Sequence, residues 1–440
     1  MPAHDAGRIR DELRRRGALM GVGASPMRIF VWHGYLLSGT GSNIYARQLA
    51  REWGRAGHDV TLFSQERRPE QFDLGGVAVV RPDVGGLLPV FVLDRYEGYE
   101  VKLVQDCSRE ELDAWVEANA RALRDQGSAD LVFVNHVLLG GPVGAASGTR
   151  YVVKAHGSEL EYAMRGNDEL SAWGGEVLAG AAATIVGSRH IRNVVREVCG
   201  TVEGVHEIPP GVDVELWRPA SKDEALARLI AEARLDPANP GNRDEWLPDE
   251  GNPARIAAFL AGERPTVVYF GKLIENKGVQ VLLEALRGLD VRTVIVGFGD
   301  CRAELEQQAA GLDVLFTGPL QHRHLVHLLA LADAAVVPSI FPEAFGMVAA
   351  EAAAAGCPPI VADHSGLADV ARGLEEDYPP GRGGLASFPS GDAAALRDRL
   401  RDVLALRGAE REALRAAARR AAVERWSLTS VARRILAVVD

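Results

Sequence analysis

Apolar residues in this chain come in short unbroken runs, and each run ends in glycine, proline or a polar residue. Such runs occur at 27–32 (MRIFVW), 59–64 (DVTLFS), 130–135 (DLVFVN), 151–155 (YVVKA) and 182–186 (AATIV). A second series lies at 266–270 (TVVYF), 293–296 (TVIV), 314–317 (VLFT), 334–337 (AAVV) and 360–362 (IVA). Unbroken apolar runs of this length mark strands buried on both faces, as in parallel sheets covered by helices. Helical stretches alternate with them, at 44–56, 189–198, 279–286 and 393–423. Ser42 or Asn43 is placed to cap the first of these and Gly57 to end it. Strand, turn and helix recurring in both halves predict an α/β protein of two Rossmann-like domains facing across a cleft.

The stretch 334–363 (AAVVPSIFPEAFGMVAAEAAAAGCPPIVAD) departs most from an ordinary α/β repeat. It predicts a strand, a proline-bounded loop and a helix over 345–355, stopped by Gly356 before Pro358 and Pro359. The helix is apolar on every face except at Glu351, so it is a buried helix carrying a carboxylate. Burying that charge costs several kcal/mol unless something meets it. No basic residue lies within a turn of it, so its partner comes from elsewhere in the fold or from a ligand. Free amides at Phe345, Gly346 and Met347 make an anion site at the helix start. Glu351 lies roughly 7–8 Å further along the axis. That is about the reach from a diphosphate to its ribose, whose two hydroxyls a carboxylate can accept. Glu343 sits in the loop on the other side of the phosphates, where a sugar would be.

Glu343 and Glu351, spaced as in PEAFGMVAAEA, resemble the paired-glutamate signature of glycosyltransferase family 4, which has the GT-B fold. The segment GKLIENKG, with Lys272 and Lys277, resembles the family's Gly-Arg-Leu…Lys-Gly motif, with lysine where arginine is usual at position 272. KAHGSELEY resembles its histidine-glycine segment, VHEIPPGVDVELWRP its exit from the first domain, and 426–438 its closing helix. At 363–369, DHSGLAD stands where the family often has Gly-Gly-Ile-Pro-Glu. The resemblance implies a retaining transferase that moves a sugar from a nucleotide-diphosphate sugar to a hydroxyl acceptor. It implies catalytic roles for Glu343, Lys272, Lys277 and His156, with the lysines neutralising the diphosphate. It implies donor contacts from Glu351, Phe345, Gly346, Met347, Gly271, Gly297, Gly318 and Leu320, with main-chain groups holding the base. On the acceptor or cleft side it implies Gly39, Gly41, Ser42, His136 and Gly157. No Asp-x-Asp stands at a suitable strand end, so neither a metal nor another cofactor is expected. A sugar phosphorylase or nucleotide-sugar epimerase of the same fold, or a non-catalytic nucleotide-sugar binder, are the alternatives.

Composition narrows this further. The 440 residues exceed one core and call for two domains. The expected divisions are an extension at 1–26, disordered or a short surface helix, then an acceptor domain at 27–218. An insertion or lid at 219–264, a donor domain at 265–422 and a returning helix at 423–440 complete the chain. Lys and Arg number 49 against 60 Asp and Glu, a formal net charge of −11, which argues against nucleic-acid binding. Cys107, Cys199, Cys301 and Cys357 are far apart and form neither a zinc nor a disulfide pattern. With no membrane-span-length apolar run and no signal-peptide core, the expected place is the cytoplasm. The stripe Arg47, Arg51, Arg55 leaves a peripheral membrane contact open, although a solvated face is its simpler reading. His322, His324 and His327 read as surface residues.

Overall fold

The computed structural model describes residues 25–93, 96–242 and 244–439. The extension expected at 1–26 lies almost wholly outside them. The chain divides into two compact units, one running to Gly211 and taking up the chain again from Val431, the other Val212–Ser430.

The first unit is built on β1 (Arg28–Trp32), β2 (Asp59–Phe63) and β3 (Ala78–Val80), a small pair β4 (Leu87–Val90) and β5 (Glu100–Leu103), then β6 (Leu131–Asn135), β7 (Tyr151–Lys154), β8 (Ala183–Val186) and β9 (Val205–Glu207). Seven of these strands form one parallel sheet in the order β3-β2-β1-β6-β7-β8-β9. Chain direction across the sheet reverses between β1 and β6, where the loops leaving the strand ends part and open a crevice. β3, β4, β5 and β9 have no counterpart in the sequence reading, because each is short, half-exposed or flanked by polar residues. The helix Gly41–Arg55 is capped by Thr40, whose hydroxyl accepts from Asn43 N at 3.4 Å. Ser42, one of the expected caps, instead sits inside the first turn. Tyr45, Leu49 and Trp53 recur every fourth residue and bury one face of that helix. Trp53 packs edge-on against Phe133 at 5.3 Å and donates to the Ala432 carbonyl at 3.0 Å. Val431, Ile435 and Leu436 of the closing segment are buried in this layer, each contributing about 1.5–3 kcal/mol of apolar burial.

The second unit carries β10 (Thr266–Phe270), β11 (Arg292–Val296), β12 (Val314–Phe316), β13 (Ala334–Val337), β14 (Pro359–Ala362) and β15 (Ser387–Phe388). They form a parallel sheet in the order β12-β11-β10-β13-β14-β15, with the reversal between β10 and β13. Residues 212–264 belong to this unit rather than to a boundary between domains. They contribute the helices Lys222–Ala233 and Asn252–Phe259, whose Ala225, Leu229 and Ile256 enter its core. The helix Met347–Ala354 packs on the long helix Gly408–Trp426, whose Arg419 donates to the Ala354 carbonyl at 2.7 Å. Ala349, Ala353, Ala417, Ala418 and Ala421 are fully buried. Such small side chains let the two helices approach closely.

Candidate active site

In the second unit the loops leaving β10 and β13 lie at the sheet's reversal, and they carry Lys272, Lys277 and Glu343, with Glu351 on the helix after the second loop. The β10 loop makes its turn at Gly278, at φ 69°, where a Cβ would meet the Pro338 carbonyl oxygen at 1.9 Å. Only glycine allows the two loops to touch there. The contact brings Lys277 onto the β13 loop, where its ammonium donates to Glu343 Oε1 at 2.5 Å. Ser339 Oγ donates to the same carboxylate oxygen at 2.6 Å. Glu343 N donates to Ser365 Oγ at 2.9 Å, and its carbonyl accepts from Gly366 N at 2.9 Å. His364 Nε2 lies 2.7 Å from the Ser339 carbonyl oxygen. The DHSGLAD segment, where the family pattern is broken, thus braces Glu343 from behind. Lys272 stands apart, exposed, and its carbonyl accepts from Tyr269 Oη at 2.8 Å.

Gly346, at φ 115°, precedes the helix Met347–Ala354, and no side chain caps it. The first amides of that helix face the positive end of its dipole. Phe345 anchors the entry, buried against Trp426 with ring centres 6.0 Å apart. Glu351 is buried one turn further on, and burial pushes its carboxyl up to about 8. Among the described residues no lysine or arginine pairs with it. Its nearest ionisable neighbour is His322 Nε2, at 3.9 Å from Oε1, too long for a hydrogen bond. His322 rests on the Trp217 ring at 5.3 Å, and His324 is fully buried, 3.1 Å from Asp236. These two histidines are therefore not the free surface groups expected from sequence. Their acidic neighbours lie too far along the chain for any local spacing to reveal. Gly271 N donates to the Val296 carbonyl at 3.0 Å and Gly297 N to the Gly318 carbonyl at 3.1 Å, so the β10, β11 and β12 ends form one wall. Leu320, beyond Gly318, is half-buried against the core.

The first unit has a different site at its own reversal. His136, at φ 72°, is a non-glycine residue in the left-handed region, a conformation that costs of order 1–3 kcal/mol and persists only where surroundings enforce it. The enforcing group is Glu159, which the sequence reading did not single out. Fully buried in a π-helical segment, Glu159–Met164, its carboxylate accepts from His156 N at 2.6 Å and Val137 N at 3.4 Å and meets His136 Nδ1 at 3.1 Å. Burial alone would raise its pKa, but His136 and the surrounding amides outweigh that and hold it below the usual range. The two acids after HGS, Glu159 and Glu161, gave no local sign of which one is buried. His156 Nε2 lies 2.9 Å from Asn135 Oδ1, and burial together with His136 drives its pKa well below the ordinary value. His33, 2.8 Å from Asn43, is driven to about 3, chiefly by burial. Gly157 accepts from Glu161 N at 3.0 Å, Gly41 opens its helix, Ser42 Oγ lies 3.2 Å from Thr40 Oγ1, and Gly39 is exposed. The glycine-rich turn thus reaches His33 through Asn43.

Two known families match this chain. Residues 39–216 match the family described as Glycosyltransferase Family 4, and residues 254–421 the one described as Glycosyl transferases group 1. The chain belongs to glycosyltransferase family 4. As a family member it is a glycosyltransferase. A D-inositol 3-phosphate glycosyltransferase of Xylanimonas cellulosilytica is 27% identical over 358 residues, covering 75% of this chain and 77% of that one. A phosphatidyl-myo-inositol mannosyltransferase of Mycobacterium leprae is 35% identical over 183 residues, 40% of this chain and 46% of the relative. Among solved structures, Anabaena HepE in complex with UDP and glucose aligns with a TM-score of 0.65 at 16% identity, over 94% of this chain and 99% of that one. Sucrose-phosphate synthase of Thermosynechococcus elongatus aligns at 0.62 and 20% identity, over 93% and 98%. These likenesses establish the GT-B fold. Both matched families are transferases, which favours transfer over the phosphorylase, epimerase and binding-protein alternatives. No helix among the described residues is long and apolar enough to cross a membrane.

Proposed function

We propose that this glycosyltransferase takes its donor at the reversal of the second sheet, as a nucleotide-diphosphate sugar, and transfers the sugar with retention and without a metal. The observation that carries this is Glu351, a buried carboxyl with no lysine or arginine partner among the described residues, one turn beyond an uncapped helix start. The diphosphate sits against the Phe345–Met347 amides, and the ribose hydroxyls meet Glu351. Lys277, and Lys272 swinging in from solvent, offset the charge that builds on the departing phosphate, a role suited to ammonium groups in a site held ready for the transition state. Glu343, fixed by Ser339 and Ser365, orients sugar hydroxyls and keeps Lys277 in place. The acceptor oxygen bonds to the anomeric carbon on the face from which the phosphate leaves, and its proton passes to the departing phosphate oxygen. His156, its amide held by Glu159, lies on the acceptor side with Gly157, His136, Gly39, Gly41 and Ser42. The names of the relatives make an inositol phosphate the first acceptor to try.

The test is transfer from UDP-, GDP- and ADP-sugars to inositol 3-phosphate and other polyols, with and without EDTA. Product configuration is read from the anomeric proton coupling. Transfer with retention, unaffected by chelation, is expected. Inversion, loss of activity on chelation, or turnover only with inorganic phosphate in place of an acceptor would overturn the reading.

A further inference from the structure

Between the helices Lys222–Ala233 and Asn252–Phe259 the chain makes a loop that the family resemblance does not account for. It is firmly built. Asn239, almost fully buried, donates through its side-chain amide to the carbonyls of Asp244, Leu247 and Pro248, each at 3.0 Å. Asp249 receives both ends of the Arg302 guanidinium, at 2.9 and 2.6 Å, and its own amide donates to the Thr317 carbonyl at 2.8 Å. Asn252 Nδ2 donates to the same carbonyl at 2.8 Å. The loop presses directly on Gly318, where a Cβ would lie 2.6 Å from Asp249 Oδ1. A loop held this tightly nevertheless carries the most exposed tryptophan among the described residues. Trp246 is 70% exposed, and its ring centre lies 4.4 Å from that of Phe298, between Gly297 and Gly299. Phe298 in turn accepts through its carbonyl from Leu273 N at 2.7 Å, tying the pair to the β10 loop.

We infer that Trp246, seated on Phe298, is the surface on which the donor's nucleobase stacks, so that this loop completes the base end of the site. The inference rests on the donor reading above. With the diphosphate at the helix start and the ribose at Glu351, the base extends towards His322 and Gly318, the part of the wall the loop covers. Every base has an aromatic face, and stacking on an indole needs no particular pattern of donors and acceptors. A large aromatic left in water on a rigid support is the shape such a contact takes before the ligand arrives.

The test is binding of UDP, ADP and GDP to the full chain and to Trp246→Ala and Trp246→Phe, by calorimetry and by tryptophan fluorescence. Inorganic pyrophosphate serves as the ligand without a base. Exposed and outside the core, position 246 tolerates alanine without loss of fold. The inference expects Trp246→Ala to weaken the preferred nucleotide about 10–100-fold, to abolish most of its fluorescence quenching, and to leave pyrophosphate unchanged. Trp246→Phe should recover most of the affinity. Equal nucleotide affinity and quenching in wild type and Trp246→Ala would overturn the inference alone. A wild-type chain that binds none of the three nucleotides would overturn the donor reading and the inference with it.

Discussion

The two sheets share a topology but use their reversals in opposite ways. In the second unit the strand-end loops carry Lys272, Lys277 and Glu343, and the helix that follows carries Glu351, groups that are partly exposed or incompletely partnered. In the first, buried His33 and half-buried His156 have low pKa values and are hydrogen-bonded within the protein, and His136 is held by Glu159. The second arrangement suits a charged small molecule whose binding completes the electrostatics. The first is mostly paired within the protein, with His33 Nδ1 and His136 Nε2 the ring nitrogens left buried without a partner among the described residues, and it presents imidazole and backbone at fixed positions. One fold thus provides a charge-accepting site and a shape-defining one, because ligand chemistry resides in the loops and not in the sheet.

The largest effect that sharpens this contrast is expected for Lys277→Ala. It removes a charge that offsets the leaving group, and kcat/KM should fall about 100- to 1,000-fold in steady-state transfer assays. A fall smaller than tenfold would place Lys277 in a structural role, as the partner of Glu343. In the first unit the corresponding change is Glu159→Gln, which keeps the shape and one oxygen for the two amides but puts an NH2 group where Oε2 meets His136, and removes the charge. It should cost about 1–3 kcal/mol of stability in denaturant unfolding. Because the pKa of Glu159 is held low in the fold, its contribution is present near neutral pH and fades on acidification. The wild-type advantage over the glutamine variant should therefore shrink at low pH.

How far the sequence alone reached can be judged from particular residues. Continuous apolar runs closed by glycine and proline revealed β1, β10, β11, β13 and their neighbours, since buried parallel strands leave that trace. Glu343, Glu351 and Lys277 were legible because their spacing is local to two loops and the helix after the second. The Lys277–Glu343 pair, 66 residues apart, was not. Nor was the approach of His322 to Glu351, nor the grip of Arg302 on Asp249, since only the tertiary fold decides such partners. The short edge strands escaped for a different reason: β3, β9 and β15 bury too little to impose a pattern.

A smaller effect distinguishes the sites by pH. Glu351 is raised to about 8 by burial, so in the free chain it is largely protonated at neutral pH. If ribose hydroxyls are accepted by the ionised form, nucleotide binding releases a proton. Affinity should then rise by up to about tenfold per pH unit between pH 6 and 8 and level off above. Calorimetry in buffers of different ionisation enthalpy reads the proton directly, and Glu351→Gln should flatten the profile. In the unliganded chain the sign for stability is the reverse. The fold binds the extra proton between about 4.5 and 8, so this group's contribution is full below 4.5 and lost as pH rises through 8. The smallest effect belongs to the basic stripe. Arg55 pairs with Asp73 at 2.8 Å, both well exposed, and Arg55→Ala should change stability by less than about 0.5 kcal/mol and leave transfer unaltered. Loss of activity only on anionic vesicles would instead assign the stripe to a membrane surface.

The most direct measurement compares a nucleoside diphosphate with its 2′-deoxy form on wild type and Glu351→Ala by calorimetry. The donor site proposed here predicts that either change alone weakens binding about 10–100-fold, and that the two together cost little more than Glu351→Ala alone, because the 2′-hydroxyl bond is one of those the alanine removes. A Glu351→Ala chain that binds the nucleotide as tightly as wild type, or penalties that simply add, would contradict it.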